Sequence, residues 1–227
     1  MPMIRIALYT GDYFHCVGFY EIRLKEALKP VDHELTVHRY PEAFDPAILN
    51  NLDMLVLCRE GVSIAGHVAG DYGLKWMSQA QEEAIADWTR KGGTLFAWHS
   101  GAAGYPENGP VSRLVGGLFK GHPPMHPFEI KVVDPDHPLA DGLTQHPVYD
   151  ELYTFDFFDD QPRPRVFMEG VSTESPVQPI AWDKNEGKGR VVAWLMGHTM
   201  ETLVKPSSIR LMQNIVQSEV ALRARSD

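Results

Sequence analysis

A short apolar run that ends abruptly in a histidine and small residues constrains the fold of this chain most strongly. The run from Leu95 to Trp98 follows the pair Gly92-Gly93 and leads into His99, Ser100 and Gly101. Such a run is typical of a strand buried on both faces of a parallel sheet. The small residues allow a sharp turn after the strand. We therefore expect the His99 imidazole at the carboxyl end of the strand, where open α/β sheets bind ligands.

Further apolar runs alternate with helical patterns along the chain, which predicts an α/β fold. Ser78 and Gln81 have the spacing of a capping box, and the helix that they begin should bury Ala80, Ala84, Ile85 and Trp88. Other helices are predicted before residue 30, with Ile22, Leu24, Ala27 and Leu28 inward, and at residues 111–118 and 207–222. Strands are predicted at residues 4–9, 34–40, 53–57, 95–98, 128–133, 148–157, 165–169, 178–183 and 190–195.

Two segments read as loops. The stretch from Arg59 to Trp76 is glycine-rich, and long irregular loops of this kind are often functional, so we expect it to border the site. The stretch from Phe119 to Pro127 contains three prolines, which exclude a helix and a regular central strand. We predict a rigid loop there.

Size and charge restrict the class of protein. The chain has 227 residues, of which 44% are hydrophobic, and it shows no linker, so a single domain over residues 1–227 is expected. The formal net charge of -9 argues against a nucleic-acid partner. No apolar stretch is long enough to span a bilayer, and the N-terminus leads straight into a strand rather than a signal peptide, which favours a cytoplasmic location without membrane contact.

Histidines dominate the candidate chemistry. His99 and His198 each follow a predicted buried strand, so both should project at one sheet edge if the strands are parallel. Glu151, beside Asp150, could add a carboxylate. Three loop histidines could reach the same rim: His15, His122 and His126. Imidazoles with a carboxylate suit zinc, manganese or iron, and the tentative ligands are His99, Glu151 and His198. Taken singly, each histidine is equally explained as a strand cap or a surface side chain.

Other chemistries lack their motifs. The chain has neither a Gly-x-Gly-x-x-Gly after a strand nor a P-loop, so no nucleotide cofactor is expected. The segment 97–101 has the form of a nucleophile elbow, but His99 stands at the nucleophile position. Cys16 and Cys58 lie elsewhere, which disfavours a cysteine hydrolase. Ser100 is one residue off the elbow and is also explained as a turn hydroxyl that bonds to the backbone.

Five ordered motifs resemble the ThuA-like (trehalose utilisation) family of the class I glutamine amidotransferase-like superfamily. They are GGTLFAWHSG at 92–101, LVGGLFKGHP at 114–123, DHPLADGL at 136–143, DELY at 150–153, and GKGRV with GHT between 187 and 199. The resemblance implies a flavodoxin-like three-layer fold with a mostly parallel central sheet, in which His99 replaces the amidotransferase cysteine. Glutamine hydrolysis is not implied.

The resemblance also implies a role in handling disaccharides or their oxidised derivatives. It makes His99, Glu151 and His198 the catalytic candidates, and it places four further residues at the substrate: His15, Ser100, His122 and Tyr153. The expected function is a carbohydrate-catabolism enzyme, a hydrolase, lyase or isomerase, that acts on a neutral glucoside, a trehalose-type disaccharide or its keto derivative. The alternative is a non-catalytic sugar-sensing or partner-binding module of the same fold.

The partner expected from charge and composition is a small neutral sugar. The predicted rim carries only the scattered cations Arg59, Lys75 and Arg113, which disfavours anionic substrates. Aromatic side chains in these loops could stack on a sugar face, namely Tyr13, Tyr72, Trp76 and Tyr105. The oligomeric state is left open, with a homo-oligomer as one option.

Overall fold

The chain forms an α/β fold around one large sheet. The computed structural model describes residues 3–63 and 74–224. Its strands are β1 (Ile4–Thr10), β2 (His33–Arg39), β3 (Met54–Cys58), β4 (Val62–Ser63), β5 (Leu74–Lys75), β6 (Thr94–Trp98), β7 (Gly117–Gly121), β8 (His126–Val132), β9 (His146–Asp150), β10 (Thr154–Phe157), β11 (Arg165–Val171), β12 (Gln178–Glu186) and β13 (Gly189–Trp194). Its α-helices are α1 (Val17–Leu28), α2 (Gln79–Arg90), α3 (Pro110–Val115), α4 (Met200–Leu203) and α5 (Pro206–Arg223).

The nine-stranded sheet is mixed, with the order β2-β1-β3-β6-β13-β12-β11-β8-β9. The four pairings from β2 to β13 are parallel, and the four from β13 to β9 are antiparallel. The predicted α/β class is therefore confirmed, whereas the predicted mostly parallel arrangement holds only for the half of the sheet from β2 to β13. The connections from β11 to β12 and from β12 to β13 are too short for the helical crossovers that parallel strands need, and the longer connection from β8 to β9 contains only a 3-10 turn.

Burial follows the sheet order. Every residue of β3 and β6 is buried, as expected for strands with neighbours on both sides and helices over their faces. The edge strand β2 alternates instead between half-buried and exposed residues. Helix α1 packs against α5, and α2 packs against α3. None of the helices in the part of the chain that the structure describes is long and apolar enough to cross a bilayer.

The start of α2 confirms the predicted capping box. The Ser78 hydroxyl accepts from the Gln81 amide, and the Gln81 side chain accepts from the Ser78 amide. The predicted inner faces need two corrections, because Ile22 is 47% exposed on α1 and Ala80 is exposed on α2. Each lies at the solvent side of its helix, while the other residues predicted to face inward are buried or half-buried.

The segment from residue 111 to 127 differs from its prediction. The helix ends at Val115 rather than Leu118, because Gly116 adopts a left-handed conformation with φ of 96° and turns the chain. The next residues form β7, which pairs with β10 in a small antiparallel sheet. The predicted rigid loop from Phe119 to Pro127 is therefore strand at both ends, in β7 as far as Gly121 and in β8 from His126, and Pro127 lies within β8. The irregular segment begins after Gly121 rather than at Phe119, where the sequence pattern predicted it.

The predicted functional loop from Arg59 to Trp76 is described only at its ends. There, β4 and β5 pair antiparallel as a short hairpin stem. Residues 64–73 of this stretch, which include Tyr72 of the predicted aromatic surface, lie outside the described residues.

Candidate functional site

Four side chains that could share one ligand meet near the carboxyl ends of the parallel strands. His15, His99, Glu151 and His198 each present a donor atom, and these atoms all lie within 4.8 Å of one another. We call these four residues the histidine cluster. Three of them are buried and His198 is half-buried. His15 comes from the loop after β1, while His99 and His198 follow β6 and β13, which pair in parallel. Parallel pairing places the ends of these two strands at the same edge.

His99 stands on a strained turn between β6 and a 3-10 helix. Its φ is 48°, a left-handed conformation that is uncommon for residues other than glycine. The turn is tight because Gly101 lies against β3, where an added Cβ would approach the Leu57 carbonyl oxygen to 1.8 Å. The backbone therefore has the form of the predicted elbow, with an imidazole in place of a nucleophile.

The tautomer of His99 follows from its hydrogen bonds. Its Nδ1 lies 2.7 Å from the Leu195 carbonyl oxygen, which can only accept, so Nδ1 carries the proton. Complete burial, together with the neighbouring His15, lowers the pKa of His99 well below its usual range. The imidazole is therefore neutral, and its Nε2 presents a lone pair to the cluster. Nε2 lies 3.5 Å from Glu151 Oε2 and 3.3 Å from the Tyr153 hydroxyl.

His15 is oriented by a carboxylate of its own loop. Its Nδ1 lies 2.5 Å from Asp12 Oδ1, and its Nε2 is buried without a hydrogen-bond partner among the described residues. Burial alone would raise the pKa of Asp12, but hydrogen bonds from His15 and from the backbone amides of Glu60 and Phe14 lower it overall. Asp12 is therefore ionised, and its bond to Nδ1 leaves Nε2 as the ring nitrogen of His15 that is available to the cluster.

Glu151 and His198 are held by Asp150, which is fully buried. Asp150 Oδ1 accepts from the Glu151 amide at 2.8 Å and from the His198 amide at 3.1 Å. His198 Nδ1 then lies 3.2 Å from Glu151 Oε2, an ion-pair distance without hydrogen-bond alignment. The Glu151 carboxylate raises the pKa of His198.

His122 and Tyr153 border the cluster without joining it. His122 Nε2 lies 3.4 Å from Glu151 Oε1, the carboxylate oxygen opposite the one that faces His99 and His198. The Tyr153 ring stacks on His99 and on His122, with centroid separations of 4.7 and 5.6 Å. Burial raises the pKa of Tyr153 well above its usual range, so the phenol remains a neutral hydrogen-bond donor.

Sequence reasoning missed Glu60, which lies on the Asp12 side of the cluster. Its backbone amide donates to Asp12 Oδ2 at 3.2 Å. Burial, with the nearby carboxylates of Asp12 and Glu151, raises the pKa of Glu60 to about 7. Its position two residues after buried β3, at the same sheet edge as His99, is the signal that could have found it.

Other predicted residues do not join the cluster. Both ring nitrogens of His126 are used elsewhere, by the Pro124 carbonyl oxygen and the Ser172 hydroxyl. Ser100 is fully buried, and its hydroxyl has no hydrogen-bond partner within the described parts of the chain.

The aromatic rim is also smaller than predicted. Trp76 and Tyr105 are buried at 4% and 8% exposure, so they are not available for stacking on a sugar. Trp76 instead contacts the Arg59 guanidinium, and the Tyr105 hydroxyl donates to the Arg59 carbonyl oxygen. Tyr13 and Phe14 are the two residues that precede His15, and their exposed fractions are 59% and 50%.

A cleft of about 1110 Å³ lies on another part of the molecule, beside α2 and β12, and none of the cluster residues lines it. His137, from the motif at 136–143, borders this cleft. Its Nε2 lies 3.0 Å from Asp183, its Nδ1 accepts from the Leu139 amide, and its ring stacks on Phe167. These bonds satisfy both nitrogens, so His137 is a structural residue of the short turn that it caps.

Comparison with known families decides the classification. The family model ThuA, described as trehalose utilisation, matches residues 20–217. The chain belongs to the ThuA family. The matched range of this ThuA-family chain includes His99, His122, Glu151 and His198, whereas His15 precedes it. No curated protein matches the chain.

Solved structures share the fold at low sequence identity. A ThuA-like protein from Parabacteroides merdae is 14% identical with a TM-score of 0.74, over 97% of this chain and 91% of that chain. A ThuA-like protein from Bacteroides uniformis is 16% identical with a TM-score of 0.71, over 96% and 91%. A β-galactosidase from Bacillus circulans is 9% identical with a TM-score of 0.60, over 97% of this chain and 31% of that chain. These likenesses extend over nearly the whole ThuA-family chain.

Proposed function

We propose that this ThuA-family chain is an enzyme of carbohydrate catabolism that binds a neutral sugar at the histidine cluster and alters it chemically. The family description, trehalose utilisation, supports the substrate class. The observation that carries the proposal is the convergence of a neutral His99, Glu151 and His198 at the ends of two parallel strands. A module that only recognises a sugar has no need of buried titratable groups in mutual contact.

The protonation states suit proton transfer. His99 Nε2 is unprotonated and can accept a proton, while the raised pKa of His198 keeps a proton available beside Glu151. Tyr153 can donate a hydrogen bond to an oxygen on the substrate. A base and two donors at one centre fit a reaction next to a sugar carbonyl, such as that of a keto-glycoside. The base would remove a proton from carbon while a donor stabilises the oxygen.

The surroundings favour a neutral substrate. Three further carboxyl groups lie around Glu151, namely Asp12, Glu60 and Asp150, and the net charge of the chain is -9. Two of the predicted rim cations have partners, because Arg59 donates to the Gly11 carbonyl oxygen and Arg113 pairs with Asp160. A phosphorylated sugar is negatively charged and would be repelled by the negative charge of the site and of the chain. Exposed Tyr13 and Phe14 offer flat faces on which a sugar can stack.

The experiment is a product-resolved NMR screen of neutral glycosides, 3-keto-glycosides and sugar phosphates. We expect a glucose-type disaccharide or its 3-keto derivative to be converted, and sugar phosphates to react more slowly. His99→Ala should lower the rate by about 10² to 10⁴, the range for a positioned acid–base group. His126→Ala is the matched control, because it removes a buried histidine outside the cluster and should leave the rate within a few-fold of wild type.

Two outcomes would contradict the proposal. Saturable binding of a neutral sugar with no product in wild type would favour the non-catalytic sugar-sensing module. Turnover that survives unchanged in His99→Ala would remove the cluster from the reaction.

A further inference from the structure

The histidine cluster brings several acceptor atoms together with few donors among them. His99 Nδ1 lies 2.7 Å from the Leu195 carbonyl oxygen, which leaves Nε2 to face Glu151 Oε2 at 3.5 Å and the Tyr153 hydroxyl at 3.3 Å. His15 Nδ1 lies 2.5 Å from Asp12 Oδ1, which leaves Nε2 as the ring nitrogen available to the cluster. Facing lone pairs repel, and burial strengthens the repulsion because solvent does not screen it. A cation between these atoms would reverse the sign of the interaction.

Two cluster nitrogens are buried without a hydrogen-bond partner within residues 3–63 and 74–224: His15 Nε2 and His198 Nδ1. Buried polar atoms are nearly always satisfied, so each such atom calls for an explanation. One ion that accepts a bond from each donor would satisfy all four residues together.

We propose that His15, His99, Glu151 and His198 together bind one divalent first-row transition-metal ion. The donors are Nε2 of His15 and His99, Nδ1 of His198, and Oε2 of Glu151. His99 Nε2 also accepts a 3.3 Å hydrogen bond from the Tyr153 hydroxyl, which the ion would replace. Three imidazoles and one carboxylate suit zinc, manganese or iron rather than magnesium or calcium, which prefer oxygen ligands. His15, predicted from sequence to contact substrate, is thereby assigned as a ligand.

The separations fit such an ion with small adjustments. Donors bound at about 2.1 Å in a tetrahedron are about 3.4 Å apart. Glu151 Oε2 lies 3.2 Å from His198 Nδ1 and 3.5 Å from His99 Nε2. The widest donor separation, 4.8 Å, must shorten on binding.

Outer hydrogen bonds orient the ligands as metal sites require. Asp12 holds His15, the Leu195 carbonyl oxygen holds His99, and Asp150 holds the backbones of Glu151 and His198. Such partners fix the tautomer and direction of a ligating imidazole. His122 and Tyr153 remain outside the ligand set, where they can contact a substrate. The proposal rests on the proposed function for the role of the ion, which would polarise a sugar oxygen. With the ion bound, His99 Nε2 and His198 Nδ1 would be ligands rather than proton-transfer groups, and proton transfer would fall to groups outside the ligand set.

The test measures metal directly. Tag-free protein, stripped with chelator and then dialysed with Zn²⁺, Mn²⁺, Fe²⁺ or Co²⁺ in turn, should retain about one equivalent of at least one ion by elemental analysis. Co²⁺ should give visible absorption bands of a protein-bound site. His15→Ala, His198→Ala and Glu151→Gln should each lower affinity at least 100-fold, and Asp12→Asn about 10- to 100-fold. His122→Ala is the matched control, because it removes the adjacent imidazole and should keep the metal.

The outcomes separate this proposal from the proposed function. Wild-type protein that retains none of the four ions would overturn the metal site, even if sugars are converted. Equal retention in His15→Ala, His198→Ala and wild type would also overturn it. Stoichiometric metal that depends on the four ligands, in a protein that converts no sugar, would support the site and contradict the proposed function instead. Circular dichroism of each variant verifies that the fold is retained.

Discussion

At the scale of single residues, the site depends on protonation states that burial sets. His99 is neutral because it is fully buried, and Asp12 stays ionised because hydrogen bonds to it outweigh burial. Glu60 is the opposite case, since burial and neighbouring carboxylates raise its pKa to about 7. These three groups lie around one site, yet each is shifted by a different balance of burial, charge and hydrogen bonding.

Glu60→Gln should stabilise the metal-free protein more at pH 8 than at pH 5. The pKa of Glu60 is higher in the folded state, about 7, than the ordinary value of 4.5, so the folded state binds the extra proton between these values. Stability due to Glu60 is therefore present below pH 4.5 and is lost as pH rises through 7. An uncharged glutamine removes this loss. Allowing for partial exposure, the difference should be on the order of 1 to 2 kcal/mol.

Urea unfolding at the two pH values measures the effect of Glu60→Gln. Glu107→Gln, at an exposed glutamate, is the control and should change stability equally at both. A Glu60→Gln effect that is the same at pH 5 and pH 8 would contradict the assignment.

At the scale of elements, the turn between β6 and its 3-10 helix determines where His99 points. The turn depends on close approach of Gly101 to the Leu57 carbonyl oxygen at the end of β3. β3 and β6 are neighbouring parallel strands, so this contact fixes the elbow against the strand beside it. The strained φ of His99 persists because the surrounding packing holds it.

Gly101→Ala should therefore disrupt the site and the fold together. A Cβ placed 1.8 Å from a backbone oxygen must push β3 and the turn apart, with an expected loss of about 3 kcal/mol or more in the free energy of unfolding. Gly18→Ala is the control, because it lies in α1 with open space around it and should stabilise the protein by up to about 1 kcal/mol. Chemical denaturation compares the two, and a Gly101→Ala protein within about 0.5 kcal/mol of wild type would show the prediction wrong.

At the scale of the whole molecule, the site joins the two halves of the mixed sheet. His99 and His198 belong to the parallel half, whereas Glu151 follows β9, at the far edge of the antiparallel half. The hydrogen bond from the His198 amide to Asp150 connects the chain after β13 directly to the end of β9. The chain after β13 and the end of β9 therefore meet although three strands, β12, β11 and β8, lie between β13 and β9 in the sheet.

Asp150→Ala should loosen this connection. It leaves the buried amide of Glu151 and the amide of His198 without their acceptor, at an expected cost of about 2 to 4 kcal/mol. Asp150→Asn keeps an acceptor oxygen and should retain most of that stability. Asp156→Ala, at an exposed carboxylate on β10, should change stability by less than about 0.5 kcal/mol. Tryptophan fluorescence during urea unfolding measures all three, and an Asp150→Ala protein as stable as Asp156→Ala would contradict the role.

The sequence by itself determined the features that depend on local pattern. Buried apolar runs predicted β1, β3, β6 and β13, and Ser78 with Gln81 predicted the start of α2, because periodicity and capping are properties of neighbouring residues. The same reasoning placed His99 and His198 after buried strands. Glycine and proline predicted most of the points where strands and helices end. The strand β7 was not predicted, because the prolines that follow it indicated a loop.

Only the tertiary structure decided which elements pair and which side chains meet. The antiparallel half of the sheet and the approach of Glu151 to His198 both join residues that are distant in sequence. Asp12 and His15 are close in sequence, but their hydrogen bond depends on the conformation of the loop after β1. The burial that raises the pKa of Glu60 also comes from packing of several elements. Such contacts depend on the closure of long loops and on the exclusion of water by the whole fold. Neither can be predicted from the pattern of neighbouring residues.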